Sequence, residues 1–123
     1  MDPETGKEVY AASVGPVMSA HPHGAQLILS GPTTVSIWDP DDDRLVARFG
    51  GFKEAVDALP LGDDIIVSEY ETGRVLRFNP ASPDARTVVA SGLKVPAGLA
   101  VHGDNLYVAD RAGTLFQILD DGE

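Results

Sequence analysis

The chain has no cysteine. That excludes disulfide bonding, thiol nucleophiles and thiolate metal ligands, and leaves cysteine usage silent about compartment. Positive charge is scarce. Nine Lys and Arg stand against 19 Asp and Glu, and the net charge is -10 at pH 7. The only lysines are Lys7, Lys53 and Lys94. A field of that sign repels phosphate backbones and anionic headgroups, so neither nucleic acid nor membrane is an expected partner. No apolar run approaches the ~18 residues of a membrane span. The opening MDPETGKEVY is too polar and acidic for a secretion leader, and the cytoplasm is the expected compartment. No Ser or Cys sits in a nucleophile elbow, and Gly50-Gly51-Phe52 lacks the rest of a nucleotide fingerprint.

What the chain does have is apolar content of 43% over 123 residues, enough for one domain with its own core. It is arranged as short β-prone runs cut by Gly, Asp and Asn, the sequence form of consecutive hairpins. The stretch 95–119, VPAGLAVHGDNLYVADRAGTLFQIL, holds three such runs. The pattern recurs upstream. GAQLILS from Gly24, GDDIIVS from Gly62 and GDNLYVA from Gly103 align, and so do VSIWDP, VLRFNP and LFQILD. A repeat of about 40 residues built from four short strands is the mark of a β-propeller blade.

Naming the strands of a blade a to d outward from the centre, strand a is expected at 16–20, 55–59 and 96–101. Strand b is expected at 26–30, 64–69 and 105–109, and strand c at 34–39, 74–79 and 114–119. Strand d is expected at 44–49, 86–90 and, from the beginning of the chain, 7–10. The chain therefore reads as one unit of three blades, at about 15–49, 54–90 and 95–119, with 7–10 completing the last. The b strands are apolar on both faces, as suits a sheet sandwiched between neighbours. Trp38 and Phe78 supply bulk where blades splay apart.

Three blades do not close a ring, since propellers have about four to eight. An open wedge exposes apolar faces and strand edges. The expectation is a two-fold homodimer of six blades, in which strand 7–10 of one chain pairs with strand 114–119 of the other.

The string PAGLAVHGDNLYVADRAG resembles repeats of the NHL type and of the senescence-marker-protein/gluconolactonase-like six-bladed propellers. SEYETGRVLRF is similar to their second hairpin, and Asn79-Pro80 and Asp39-Pro40 to the D-P that follows. The resemblance implies a six-bladed propeller. In its lactonase members it implies one divalent cation, such as Ca2+, held by carboxylates and an amide at the channel mouth. Two ligand motifs of that family are testable here. Where E-G-P-V-W is expected the chain reads Val14-Gly15-Pro16-Val17-Met18, and where P-D-G-L is expected it reads Pro96-Ala97-Gly98-Leu99. Val14 and Ala97 supply no oxygen to a hard cation.

The d-to-a and b-to-c loops share one rim, which carries the remaining candidates for ligand or channel contact: Glu54, Asp57, Glu69, Asp110 and Arg111. Asp57, Glu69 and Asp110 are the carboxylates that could serve a metal or acid–base chemistry. Against this, Glu69 and Asp110 end equivalent strands, where a carboxylate ordinarily caps a turn. Asp57 falls on an inner strand beside channel water. His21, His23 and His102 are placed at a-to-b turns on the opposite rim, in solvent. The DPDDD run from Asp39 is a solvated turn. Arg74, Arg77 and Arg111 could bind an anionic substrate, but are expected to pair with Glu69, Glu71 or Asp110 on the same rim.

Three functions follow. One is a binding or scaffold propeller without catalysis, with a small molecule as possible ligand. Another is a metal-dependent lactonase-like hydrolase or lyase acting at the channel mouth. The last is an engineered or excised half-ring with no ligand.

Overall fold

A computed structural model describes residues 16–118, which form β-strands, turns and no helix. Three antiparallel sheets follow one another along the chain. The first comprises β1 (Ser19–His23), β2 (Gln26–Ser30), β3 (Val35–Asp39) and β4 (Arg44–Phe49). The second comprises β5 (Ala55–Leu61), β6 (Asp64–Glu69), β7 (Arg74–Asn79) and β8 (Ser82–Ala90). The third comprises β9 (Pro96–His102), β10 (Asn105–Asp110) and β11 (Thr114–Ile118). Each is a simple meander in sequence order. The three sheets are consistent with propeller blades. The strand expected at 7–10 lies outside the described residues, so the third sheet has three strands among them.

Local chemistry accounts for the turns. The a-to-b hairpins close with two-residue loops, bracketed by the pairs His23↔Gln26, Leu61↔Asp64 and His102↔Asn105. The first loop residue is Gly24, Gly62 or Gly103, at φ of 61°, 63° and 66°. Such tight hairpins need a left-handed residue there, and glycine takes it without a Cβ clash. The c-to-d turns begin with an Asx residue before proline. Asp39 Oδ1 accepts the N–H of Asp41 and of Asp42 at 3.0 and 3.1 Å, and Asn79 Oδ1 accepts that of Ala81 at 2.8 Å.

Two strands extend past their expected bounds, β1 at its end and β8 at its start, and each extension includes a proline. β1 begins at Ser19 and runs through His21-Pro22-His23, which were expected to form a solvated turn. β8 begins at Ser82 and includes Pro83. Both strands are at a sheet edge, with one neighbour only. Proline lacks a ladder donor but is tolerated where its nitrogen faces away from the neighbour.

Two apolar layers lie between the sheets. Ile28, Val35 and Ile37 of the first sheet pack with Ile65, Val67 and Phe78 of the second. Leu59, Ile66 and Val75 of the second pack with Leu99, Leu106 and Val108 of the third. β6 thus sends alternate side chains into both layers. Phe78 fills the outer part of the first layer, its ring centroid 5.0 Å from Phe49 in an edge-to-face pair and 5.9 Å from Phe52. The Arg86 guanidinium covers Phe52 at 4.0 Å from its centroid and donates to the Gly50 carbonyl at 2.5 Å.

Candidate functional site

The first strands of the sheets lie side by side, and Asp57 of β5 is where they meet. Its carboxylate is buried, at 6% residue exposure. Oδ1 is 2.7 Å from His21 Nε2 on β1 and accepts the Ala58 N–H at 3.0 Å. Oδ2 accepts the Leu99 N–H of β9 at 2.8 Å. One side chain thereby joins three consecutive blades. A carboxylate accepts only, so Nε2 of His21 donates in this pair. The His21 side chain is 33% exposed, leaving part of the ring open to solvent. The local cause is a bulge. β5 pairs Ala55 with Glu69 and Asp57 with Ser68, leaving Val56 unmatched. That extra residue re-aims the strand. Ser68 makes a parallel link, its Oγ donating to the Ala97 carbonyl at 3.0 Å.

Glu69 and Asp110 lie at the ends of β6 and β10 and repeat one device. Glu69 Oε2 accepts the Lys53 N–H at 2.9 Å, and Asp110 Oδ2 accepts the Lys94 N–H at 3.0 Å. Each carboxylate clasps the connection that enters its own blade. The backbone repeats the clasp one residue on, as Tyr70 N–H to Glu54 C=O at 2.8 Å and Arg111 N–H to Val95 C=O at 2.9 Å. Glu69 is 1% exposed and also accepts from Thr72 Oγ1 at 2.8 Å and Arg74 Nη2 at 3.0 Å. Asp110 also takes the N–H groups of Ala112, at 2.7 Å, and Val95, at 3.3 Å. The Ala112 bond above all holds the Asp110 carboxyl below its ordinary value. Burial works in the other direction, and the Val95 and Lys94 N–H groups and the Lys94 charge add to the lowering.

The remaining candidates are on the same rim. Glu54 holds a left-handed backbone at φ 60°, and its N–H donates to Pro32 C=O at 2.7 Å. Arg111 is exposed beside the Asp110 clasp. Arg74 pairs with Glu69 as expected, but Arg77 does not reach that rim. It meets Asp64 at 2.6 Å near the other end of β6, where Asn79 also donates at 3.1 Å. The placement of the histidines is likewise corrected for His21, whose ring is turned inward onto Asp57.

The described residues do not fit a divalent cation. Among the described residues no three His, Asp or Glu side chains converge where an ion could sit. Asp57, Glu69 and Asp110 each accept from backbone N–H groups, and Asp57 and Glu69 also from neighbouring side chains. At Ala97, the family's second ligand position, the chain has no side-chain oxygen, and its carbonyl is taken by Ser68. Val14, the first, lies outside the described residues.

Sequence reasoning missed the Asp57–His21 pair because it spans 36 residues and two sheets. His21 was placed at a turn beyond the expected strand 16–20, and the one signal against that was its alignment with Leu59, a position on the first strand of the next repeat.

No family model and no curated protein matches the chain. Solved structures do. PorZ, a surface component of the type-IX secretion system of Porphyromonas gingivalis, superposes with a TM-score of 0.69 at 19% identity, over 83% of this chain and 14% of PorZ. Myxococcus xanthus glutaminyl cyclase gives 0.66 at 16% identity, over 87% of this chain and 56% of the enzyme. The computationally designed Ika4 protein gives 0.55 at 8% identity, over 91% of this chain and 97% of Ika4. PorZ and the cyclase have β-propeller-type folds, and the sheets described above belong to that class. The chain spans 14% of the first and about half of the second.

Proposed function

We propose that the chain is a β-propeller binding or scaffold module without catalysis, completed to a six-bladed ring by a second copy. The observation that carries the non-catalytic reading is what the buried carboxylates do. Asp57 ties three blades, and Glu69 and Asp110 clasp loops, so none of these three carboxylates is free to act as acid or base. The binding surface in this reading is the rim just beyond the clasps, where Tyr70 and Arg111 occupy equivalent exposed positions and could meet a small molecule. Within the propellers, PAGLAVHGDNLYVADRAG supports a place near the NHL and gluconolactonase-like group, with the lactonase ligands replaced by Val14 and Ala97.

The test compares thermal unfolding with and without millimolar Ca2+, alongside lactone hydrolysis. The expected result is no shift in Tm and no turnover. A Ca2+-dependent rise in Tm with turnover that Asp57→Asn abolishes would replace this reading by the metal-dependent hydrolase.

A further inference from the structure

The clasps of the second and third blades are built alike but charged differently. Lys53 and Lys94 hold equivalent places, since each donates its N–H to the carboxylate that ends the b strand of its blade. Glu54 and Val95 follow them, and their carbonyls accept the N–H of Tyr70 and of Arg111 at 2.8 and 2.9 Å. Glu71 and Ala112 come next along the chain. At the start of strand c, Arg74 stands opposite Glu69, and Thr114 opposite Asp110. In the second blade, therefore, Lys53 and Arg74 face three carboxylates, Glu54, Glu69 and Glu71. In the third, Val95, Ala112 and Thr114 replace Glu54, Glu71 and Arg74, and Arg111 replaces Tyr70. Lys94 and Arg111 are left with Asp110 alone against them. Asp110 is buried and accepts the N–H groups of Lys94, Val95 and Ala112. The charge of Lys94 acts on it, but neither Lys94 nor Arg111 makes an ion pair with a described residue. Both are exposed, and the hydrogen bonds joining 94–95 to 110–111 start their side chains from adjacent points of one rim.

We infer that the third-blade clasp binds a small oxyanion, the carboxylate or phosphate group of a small molecule, between Lys94 and Arg111. This rests on the rim reading above and names the chemical class of the ligand. Two neighbouring like charges repel, and an oxyanion between them turns that repulsion into attraction. A guanidinium takes a carboxylate or phosphate through two parallel hydrogen bonds, and an ammonium adds another donor. The net charge of -10 disfavours a polyanion and leaves a small anion as the occupant. Tyr70 holds the equivalent place about one sheet spacing away, ~10 Å. At 44% exposure it offers a ring to the uncharged part of the ligand.

The isotope-labelled full chain is titrated by NMR in low-salt buffer with inorganic phosphate, with succinate and with uncharged benzyl alcohol. Saturable shifts are expected at the amides of Lys94, Arg111 and Ala112 with an anion, and weaker ones at Lys53 and Glu71. Arg111→Gln and Lys94→Gln are each expected to weaken binding about fivefold, as for the loss of one exposed charge pair. Lys53→Gln is expected to leave binding unchanged. A response to phosphate alone or to succinate alone supports the inference and names the group, and a response to both supports the shared oxyanion chemistry. Shifts spread evenly over the two clasps, or binding that Arg111→Gln does not weaken, would overturn it. A fall in Tm for Lys94→Gln without any anion response would overturn it too, and would show that the charge serves Asp110 instead. Silence to both anions while benzyl alcohol shifts Tyr70 and Arg111 would overturn the oxyanion and leave the rim reading standing. Silence to all of the probes would overturn both.

Discussion

Asp57 joins three sheets through one buried side chain. Its removal leaves the Leu99 and Ala58 N–H groups and His21 without their acceptor. Each unsatisfied buried donor costs about 1–3 kcal/mol. Asp57→Ala should therefore lower unfolding free energy by about 2–4 kcal/mol in urea titration. A loss below ~0.5 kcal/mol would show that the three blades are not joined there. Gly73 gives a second contrast. At φ 69° it sits against the Leu93 carbonyl, into which a Cβ would be driven, whereas Gly92, at φ 75°, has open space around it. Gly92→Ala should cost only the left-handed strain, about 1 kcal/mol, and Gly73→Ala markedly more. Equal Tm values for the two would contradict the clasped-loop geometry.

Asp110 provides the pH dependence. Its carboxyl is held below the ordinary 3.8, chiefly by the Ala112 N–H. A depressed folded-state value gives stability that is complete above the unfolded value and is lost as pH falls through the folded one. The Tm difference between the unmodified chain and Asp110→Asn should thus be constant near neutral pH and shrink on acidification below about pH 4. A difference that persisted at pH 2 would indicate a role for Asp110 other than as a charged acceptor.

Among the elements, β6 and β10 are the informative pair. They align residue for residue, yet β6 is buried on both faces and β10 on one. What distinguishes them is the neighbour, not the strand. Ile66→Ala, in the layer between the second and third sheets, should cost about 2–5 kcal/mol by urea titration, as for a close-packed core. A cost under 1 kcal/mol would mean that the sheets are not tightly packed there.

The b strands and their glycine turns were readable from the sequence because both are local. A continuous apolar run, β-branching and a left-handed turn residue lie within about ten positions of one another. The clasps at Glu69 and Asp110 were half readable, as turn carboxylates at equivalent positions. Their partners across the incoming loop were not. The His21–Asp57 pair and the Arg77–Asp64 pair depend on how strands face one another, which no local pattern encodes. The end of β1 and the start of β8 were missed because each includes a proline, which at a sheet edge does not interrupt the strand.

At the scale of the molecule, packing and charge oppose each other. The exposed Leu115, Phe116 and Val101 of the third sheet favour association. The net charge of -10 on each chain resists it. Salt screens that repulsion beyond ~8 Å at physiological ionic strength. Association should therefore tighten between 20 mM and 500 mM NaCl when followed by sedimentation. Weakening over that range would point to an interface held by charge.

Light scattering on the eluting peak of the unmodified chain at micromolar concentration measures most directly whether half a ring seeks its other half. A mass of twice 13.0 kDa is predicted. A peak at 13.0 kDa that holds as the concentration is raised would contradict the account.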